Sequence, residues 1–431
     1  MRKFLTGKLK LMIAAFAVFS SYITYAQEHA PKIICATDQY FQQNVQKNNS
    51  VFKVQQQLNQ TADNLQTKAR FKDEDTTVRV IPVVFHVLYD GAAENISKNA
   101  ILQQLITLNE TFRAKNKDIT NVSAQYKDLV ADTRIEFRLA SQDPWGKCTD
   151  GIDRIKTSQT ANAMDNVKSL SWWDSRMYLN IWVVKNIGIN VGGGGIVAGY
   201  SKFPWDALND PANDGIIMDY RFIGKGQKVL THEIGHYLGL YHTFQDGCTE
   251  DESLEGDHVM DTPPVAEANY GCAKGVNSCS AGSNDLPDMI ENFMDYTDCR
   301  YMFTERQKVR ARWFLGNPRG KLWSAENAAY VFEECSGSTL GIKITDEANS
   351  ISVYPNPAKN SFNLSVTAGV YNKLIAKDIT GRILGNLTLP AYNSTLKLQL
   401  ECKQLGLNNP GIYFLQLQGR ESSKLIKLVV E

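Results

Sequence analysis

Three histidines, a glutamate and a glycine fall within one short stretch of the chain, THEIGHYLGLYH. His232 and His236 are four residues apart, so on a helix their imidazoles share one face and can bind one metal ion. Glu233 lies beside them and can reach a metal-bound water without being a ligand. Gly239 can take the left-handed conformation that ends the helix, which lets His242 return as a third ligand. Three protein ligands and one open position are typical of a catalytic zinc site.

Chance is a poor explanation for this pattern. A lone histidine on an apolar helix is usually a packed core residue, but three of the chain's 6 histidines lie in this one stretch. The combination of H-E-x-x-H with a glycine and a further histidine carries a defined chemistry. The sequence therefore predicts zinc as a cofactor, with Glu233 as the general base.

A candidate methionine turn lies downstream, in the stretch NFMDY. The zinc motif followed by such a turn resembles the metzincin metalloproteases. The resemblance implies that Met294 packs as an apolar floor under the zinc site. It also implies that Tyr296 hydrogen-bonds the reaction intermediate, with a purely structural tyrosine as the alternative.

Four further segments narrow the resemblance to the pappalysin family of metzincins. They resemble the family's first strand, first helix, central strand and substrate-lining edge strand, and they occur in the family's order at 81–89, 103–113, 178–184 and 199–204. The resemblance implies an α/β catalytic domain over 79–320, with a twisted mixed sheet, a zinc-binding helix and a methionine turn.

The activity that the resemblance implies is that of a secreted zinc-dependent endopeptidase, which hydrolyses peptide bonds in proteins and is made as a latent zymogen. A preference for Arg or Lys after the scissile bond is a further hypothesis, with Asp298 as the pocket residue. Two alternatives stay open. One is a non-catalytic surface binding protein or adhesin on a protease scaffold, and the other is a zinc hydrolase of small molecules.

Composition limits the partners and the compartment. With 46 basic and 46 acidic residues the formal net charge is zero, which argues against nucleic acid as a main partner. Residues 1–26 combine a basic start, a short apolar run and a cleavage site, which is typical of a signal peptide. The run is too short to span a bilayer, so we expect no transmembrane span in the mature protein.

Export places the cysteines where disulfides persist. Cys248, Cys272, Cys279 and Cys299 crowd into a polar loop around the methionine turn. Four cysteines allow three pairings, and a second zinc site is a rival that lacks a paired C-x-x-C spacing. The resemblance implies the pairs Cys248–Cys279 and Cys272–Cys299.

The remaining cysteines leave more open. The sequence does not determine the pairing of Cys148, Cys335 and Cys402. Cys35 stands alone in residues 27–78, a Gln-, Asn- and Lys-rich stretch that is typical of a removable pro-segment. The resemblance implies that Cys35 is a fourth zinc ligand in the latent form, because a thiolate can displace the catalytic water. The alternative is that Cys35 pairs with another cysteine.

A calcium site is predicted in the acidic loop after the zinc motif. Oxygen ligands at this density suit calcium, and a solvated acidic loop is the alternative. The stretch GDHVMDTP resembles a calcium loop of the family. That resemblance implies Asp257 and Thr262 as ligands, together with the backbone carbonyls of Gly256 and Met260.

The last residues differ in character from the rest. After a linker over 321–350, residues 351–431 alternate apolar and polar positions between turn signals, which predicts a small all-β sandwich. Four segments resemble a type IX secretion sorting domain, and a carbohydrate-binding or spacer domain is the alternative. The resemblance implies a protein that the type IX machinery exports through the periplasm of a diderm bacterium, to the cell surface or beyond it.

Overall fold

The computed structural model describes residues 31–68, 75–192, 194–249, 255–280, 286–332, 351–366, 371–378, 382–390, 396–419 and 423–431. The predicted signal peptide, Cys335 and most of the predicted linker lie outside these residues. The chain divides into two compact units, Met1–Gly337 and Ser338–Glu431. No helix in the described parts of the chain is long and apolar enough to cross a membrane.

The first unit alternates strands with helices. Its strands are β1 (Ile33–Cys35), β2 (Arg79–Tyr89), β3 (Ile135–Leu139), β4 (Ile152–Lys156), β5 (Leu179–Val184), β6 (Ile196–Ser201) and β7 (Ile216–Asp219). Its helices are α1 (Thr37–Lys47), α2 (Ser50–Lys68), α3 (Lys98–Phe112), α4 (Pro204–Asn209), α5 (Val229–Tyr237), α6 (Glu305–Gly316) and α7 (Ala325–Val331).

The seven strands form one mixed sheet in the order β1-β6-β7-β5-β2-β3, with β4 also paired to β2. Only the pairing of β6 with β7 is antiparallel. Strand β5 is buried at every position, as a central strand covered on both faces should be. Helices α3 and α5 pack on one face, and their apolar side chains join those of β2 and β5 in the main core. This confirms the predicted α/β catalytic fold.

Strand β6, predicted to be a substrate-lining edge strand, is not at the edge of the sheet in this structure. Strand β1, from the predicted pro-segment, pairs with β6 in parallel and covers its outer edge. Helix α1 continues along β6, and α2 packs against α4 and α6. The predicted pro-segment therefore occupies the edge to which an extended peptide could add as a strand.

The second unit is all β. Its strands are β8 (Ile351–Tyr354), β9 (Ser361–Val366), β10 (Tyr371–Lys377), β11 (Ile383–Thr388), β12 (Leu396–Glu401), β13 (Gly411–Gly419) and β14 (Ser423–Val430). They form a four-stranded sheet, β11-β10-β13-β14, and a three-stranded sheet, β12-β9-β8. Both sheets are antiparallel, and their inward side chains share one apolar core. The predicted all-β second domain is confirmed.

Candidate active site

Helix α5 and the turn after it bring three histidines together. His232 and His236 lie one turn apart on α5, and both are buried. The helix ends at Tyr237, and Gly239 has a φ of 82° that turns the chain back. His242 then faces the other two, and the three Nε2 atoms lie 3.1 to 3.2 Å from one another. Ligands of one tetrahedral zinc at about 2.0–2.1 Å would be separated by about 3.3 Å.

In each of the three imidazole rings, the hydrogen bond made by Nδ1 shows which nitrogen carries the proton. The three Nε2 atoms are therefore in the same state and can act together. Each Nδ1 lies within hydrogen-bond distance of an oxygen that can only accept, so each Nδ1 carries the proton. The partners are the carbonyl of Phe293 for His232 at 2.7 Å, the carbonyl of Leu240 for His236 at 2.7 Å, and the carboxylate of Asp38 for His242 at 2.8 Å.

This arrangement fits a bound cation. Burial lowers the pKa of His232 well below its ordinary value and that of His236 to about 3, so both rings are neutral. Neutral rings protonated at Nδ1 turn their Nε2 lone pairs toward one another, an arrangement that a shared cation stabilises. Among the described residues, the set of possible metal ligands found here is Cys35, His232, His236 and His242, all buried. One thiol and three imidazoles are a donor set that suits zinc.

Glu233 lies beside the histidines and is fully buried. Burial raises the pKa of its carboxyl to about 8, against the lowering effect of hydrogen bonds from Cys35 and Thr37. Its Oε2 lies 3.2 Å from the Thr37 hydroxyl, whereas its buried Oε1 has no hydrogen-bond partner. A Cβ built on Gly199 of β6 would lie 2.8 Å from that Oε1. Glycine there lets the sheet edge approach the carboxylate closely.

Cys35 is buried against the same site at the end of β1. Its Sγ lies 3.4 Å from Oε2 of Glu233 and accepts a hydrogen bond from the backbone N–H of Thr37 at 3.4 Å. Burial and the charge of Glu233 hold the pKa of the thiol well above its ordinary value. Cys35 forms no disulfide. The alternative that it pairs with another cysteine is therefore not what the structure shows.

The methionine turn places Met294 against helix α5 and Tyr296 beside the histidines. Met294 is fully buried, and a Cβ built on Gly235 of α5 would lie 2.4 Å from its Sδ. The methionine thus packs directly beneath the zinc helix. Tyr296 packs edge-on against His242, with ring centroids 5.0 Å apart, and its hydroxyl donates to the backbone carbonyl of Cys35 at 2.9 Å. The hydroxyl therefore already binds a peptide carbonyl beside the three histidines.

The predicted calcium ligands are only partly brought together. Gly256, Asp257 and Thr262 line a small cavity of about 10 Å³ that Met260 does not line. Asp257 is buried, which raises the pKa of its carboxyl to about 8, and it accepts from the Thr262 hydroxyl at 2.7 Å. A cavity of this size can hold about one water molecule or ion.

Two disulfides hold the polar loop around the methionine turn. They join Cys248 to Cys279 and Cys272 to Cys299, which is the pairing that the family resemblance implies, each with a Cα–Cα distance of 5.4 Å. Cys148 is disulfide-bonded, and Cys402 is a free, buried thiol. The rival of a second zinc site built from the loop cysteines is therefore excluded by their pairing.

Asp298 reaches the site only at its rim. It is exposed and lines a pocket of about 330 Å³ beside His232 and Glu233. Arg300 lines the same pocket, and burial lowers the pKa of its guanidinium. The predicted pocket acid thus shares its pocket with a cation.

Sequence reasoning missed two polar residues of the pro-segment. The carboxylate of Asp38 accepts from Nδ1 of His242 and orients that ring. The Thr37 hydroxyl donates to Glu233 and accepts from the backbone N–H of Ser201. The sequence signal that could have identified them is their position two and three residues after Cys35. A segment that places a ligand in a metal site also places the next polar residues around that site.

Comparisons with known proteins agree with this geometry. The family model described as "Pregnancy-associated plasma protein-A", a peptidase family, matches residues 162–316, and the model described as "Secretion system C-terminal sorting domain" matches residues 352–431. An extracellular metalloprotease from Sordaria macrospora is 38% identical over 144 residues, which are 31% of this chain and 46% of that protein. The chain thus spans about half the length of that curated relative.

Two solved structures from Tannerella forsythia match over nearly their whole length. Mature mirolysin in complex with a cleaved peptide is 33% identical, with 59% of this chain and 99% of that chain covered and a TM-score of 0.53. A promirolysin mutant is 30% identical, with 69% and 99% covered and a TM-score of 0.55. With its zinc-binding histidines, methionine turn and these relatives, the chain belongs to the pappalysin family of metzincin metalloproteases.

Proposed function

We propose that this protein is a secreted zinc endopeptidase, made as a latent zymogen, that hydrolyses peptide bonds in proteins. The observation that carries the proposal is the convergence of three Nδ1-protonated histidines on one point beside the buried carboxylate of Glu233. A non-catalytic adhesin would not need that carboxylate, whose buried Oε1 has no other partner.

The histidines, Glu233 and Tyr296 have separate roles in the proposed hydrolysis. A zinc ion held by the three histidines would supply the positive charge that polarises the substrate carbonyl and acidifies a water molecule. Glu233 accepts the proton of the attacking water and returns it to the leaving amine, which a carboxyl with a raised pKa does well. Tyr296 donates its hydroxyl to the substrate oxygen as negative charge develops there.

The direct test of the function is proteolysis of casein by the processed protein, with mass spectrometry of the fragments. We expect cleavage that a zinc chelator abolishes and that added zinc restores. Unchanged casein after the pro-segment has been removed would contradict the proposal and favour a binding role. A small-molecule hydrolase is distinguished by activity on acyl esters without cleavage of casein.

Replacing Tyr296 with phenylalanine should lower kcat by about 10²-fold, because one donor to the developing oxyanion is lost. The hydrogen bond of this hydroxyl to the peptide carbonyl of Cys35, at 2.9 Å, supports such a role. Tyr270, whose ring lies 5.9 Å from that of Tyr296, lines the pocket beside Glu233, so Tyr270→Phe tests whether the loss of any pocket hydroxyl has the same effect. If Tyr296→Phe leaves kcat unchanged, Tyr296 is structural only.

Latency is proposed to come from residues 27–78, with Cys35 as a fourth zinc ligand. Three sets of contacts support it. Strand β1 covers β6, Cys35 reaches Glu233, and Asp38 binds His242. Strand β1 runs parallel to β6. A substrate that pairs antiparallel to β6 would therefore run in the direction opposite to that of β1. The zymogen is thus closed by a peptide bound in the reverse sense.

Replacing Cys35 with alanine should give the unprocessed chain measurable activity on a short peptide, about tenfold above that of the wild-type zymogen. The gain is limited because the remaining pro-segment contacts persist. Cys402→Ala is the matched control, since Cys402 is the other free and buried cysteine of the described residues. Equal activity of the unprocessed Cys35→Ala chain and the wild-type zymogen would remove Cys35 from the latency mechanism.

Calcium is proposed at the loop of Gly256, Asp257 and Thr262, with Met260 as the least supported ligand. Removing calcium should lower the melting temperature by about 5–10 °C, if the site is near saturation. The variant Asp257→Asn should lose this calcium dependence, whereas Glu267→Gln, an exposed acid nearby, should keep it. A melting temperature of the wild type that does not respond to calcium would refute the site.

The remaining organisation is proposed as a signal peptide at 1–26, a pro-segment at 27–78, a catalytic domain at 79–320, a linker at 321–350 and a sorting domain at 351–431. Protein or peptide substrates and the type IX secretion machinery are the proposed partners. The match of residues 352–431 to a sorting domain supports export through the periplasm to the cell surface or beyond.

A preference for Arg or Lys after the scissile bond is the remaining prediction from the resemblance. It rests on Asp298, which lines the pocket beside Glu233. Asp298 is exposed, and Arg300 lines the same pocket. The two charges predict opposite preferences, so mapping of the cleavage sites decides between them.

A further inference from the structure

A pocket of about 330 Å³ opens beside the general base. One wall is α5, with Val229, His232 and Glu233, and another is the segment after the methionine turn, with Asp298 and Arg300. The pro-segment passes over the mouth at residues 31–35. Because the pocket borders Glu233, it receives a side chain next to the scissile bond once the pro-segment has left.

The sheet indicates which side of the bond this is. The pro-segment residues over the pocket precede Cys35, and Ile33 and Ile34 pair with Ile196 and Val197 at the amino end of β6. A substrate strand antiparallel to β6 would place its carboxyl-terminal half at that end. The pocket then takes the side chain that follows the scissile bond.

The cation of this pocket is Arg300, on whose guanidinium the charges of nearby carboxylates act without a close ion pair. In the described residues no carboxylate forms an ion pair with its guanidinium, and its Nε is buried with no hydrogen-bond partner. Its backbone is fixed, because its carbonyl accepts from Lys228 at 2.7 Å. The guanidinium is close enough for its charge to act on both His232 and Glu233.

Asp295 and Asp298, the aspartates near Arg300, do not form an ion pair with it. Asp295 is buried and accepts two hydrogen bonds from Asn269 and one from the backbone of Tyr296. Asp298 is exposed at the mouth. Lys32 of the pro-segment also lies at the mouth, where its ammonium rests 4.4 Å from the centre of the Tyr270 ring rather than pairing with Asp298. A half-buried, planar donor fork without a close ion pair is suited to a carboxylate.

We propose that Arg300 is a specificity-determining residue, and that the enzyme prefers an aspartate or glutamate directly after the scissile bond. The proposal rests on the proposed peptidase function. It is the opposite of the preference for Arg or Lys, in which Asp298 would be the recognising group.

The test is cleavage-site profiling of the processed enzyme on a peptide library derived from a denatured proteome. Four proteins are compared: the wild type, Arg300→Gln, Asp298→Asn and Arg138→Gln. Arg138 is a matched control, because it is an exposed arginine on β3, away from the pocket. Matched peptides with Asp, Ala or Lys after the bond then give kcat/KM.

We expect acidic residues to be enriched after the bond for the wild type, Asp298→Asn and Arg138→Gln. For Arg300→Gln we expect the ratio of kcat/KM on the Asp peptide to kcat/KM on the Ala peptide to fall about tenfold or more. Enrichment of Arg or Lys that only Asp298→Asn removes would overturn the proposal. Equal profiles for the wild type and Arg300→Gln would overturn it as well.

A binding measurement separates failure of this proposal from failure of the peptidase function. Product-like peptides that begin with Asp, Ala or Lys are titrated calorimetrically into the processed protein, with and without Arg300→Gln. Tighter binding of the Asp peptide that Arg300→Gln abolishes supports the pocket assignment even if no cleavage is found. Equal affinities for the Asp and Ala peptides would refute it whether or not the protein cuts casein.

Discussion

Replacing Glu233 with alanine is expected to lower peptide hydrolysis by about 10³–10⁴-fold, because the variant has no group to accept the proton of the attacking water. The carboxylate is buried, its Oε1 has no other partner, and Gly199 leaves room for it at the sheet edge. Its role is therefore chemical more than structural. The measurement is kcat/KM on a quenched fluorescent peptide.

The controls for this variant separate the general base from the metal site. Glu233→Ala should keep the zinc content of the wild type, because Glu233 is not among the residues whose atoms converge on the site. His236→Ala, in contrast, should lose both zinc and activity. A Glu233→Ala protein that retained more than about a tenth of the wild-type rate would assign the proton transfer to another group.

Replacing Gly239 with alanine is expected to destabilise the first unit by roughly 2–5 kcal/mol and to lower its zinc content. A Cβ at this position would lie 2.4 Å from the ring of Phe314, and the φ of 82° is one that alanine adopts at a cost. The turn also places the Leu240 carbonyl that orients His236. Strain here therefore reaches the metal site directly.

Gly226 provides the matched control, since it has a φ of 73° but no atom near its missing side chain. Gly226→Ala should carry only the backbone part of the penalty, about 1–2 kcal/mol, and should keep its zinc. Denaturant unfolding and zinc content measure both effects. If the two alanine variants have the same stability, the close packing of Gly239 against Phe314 is not what the turn requires.

The sequence was sufficient to predict the groups that act through short-range spacing. His232, Glu233 and His236 follow from the helical repeat, and Gly239 with His242 follows from the turn that ends the helix. The fold class could also be predicted, because the segments at 81–89, 103–113, 178–184 and 199–204 resemble the strands and helix of the family in the family's order.

The interactions that the sequence could not predict join residues far apart in the chain. Asp38 binds His242 across 204 positions, and no local pattern connects them. The covering of β6 by β1 depends on a pairing between strands more than 160 positions apart. Met260 was included from a motif resemblance, but the fold of the loop leaves it out of the cavity that Asp257 lines. In each case tertiary packing, rather than local pattern, decides which side chains meet.

The parallel pairing of β1 with β6 has a consequence for self-association of the protein during export. Once β1 leaves, β6 becomes an edge strand with a row of unsatisfied backbone groups, which is a template for pairing with another chain. Concentrated copies of such a sheet can self-associate before they reach their destination. Under the proposed latency, the covering of β6 by β1 would therefore also limit self-association until the pro-segment is removed.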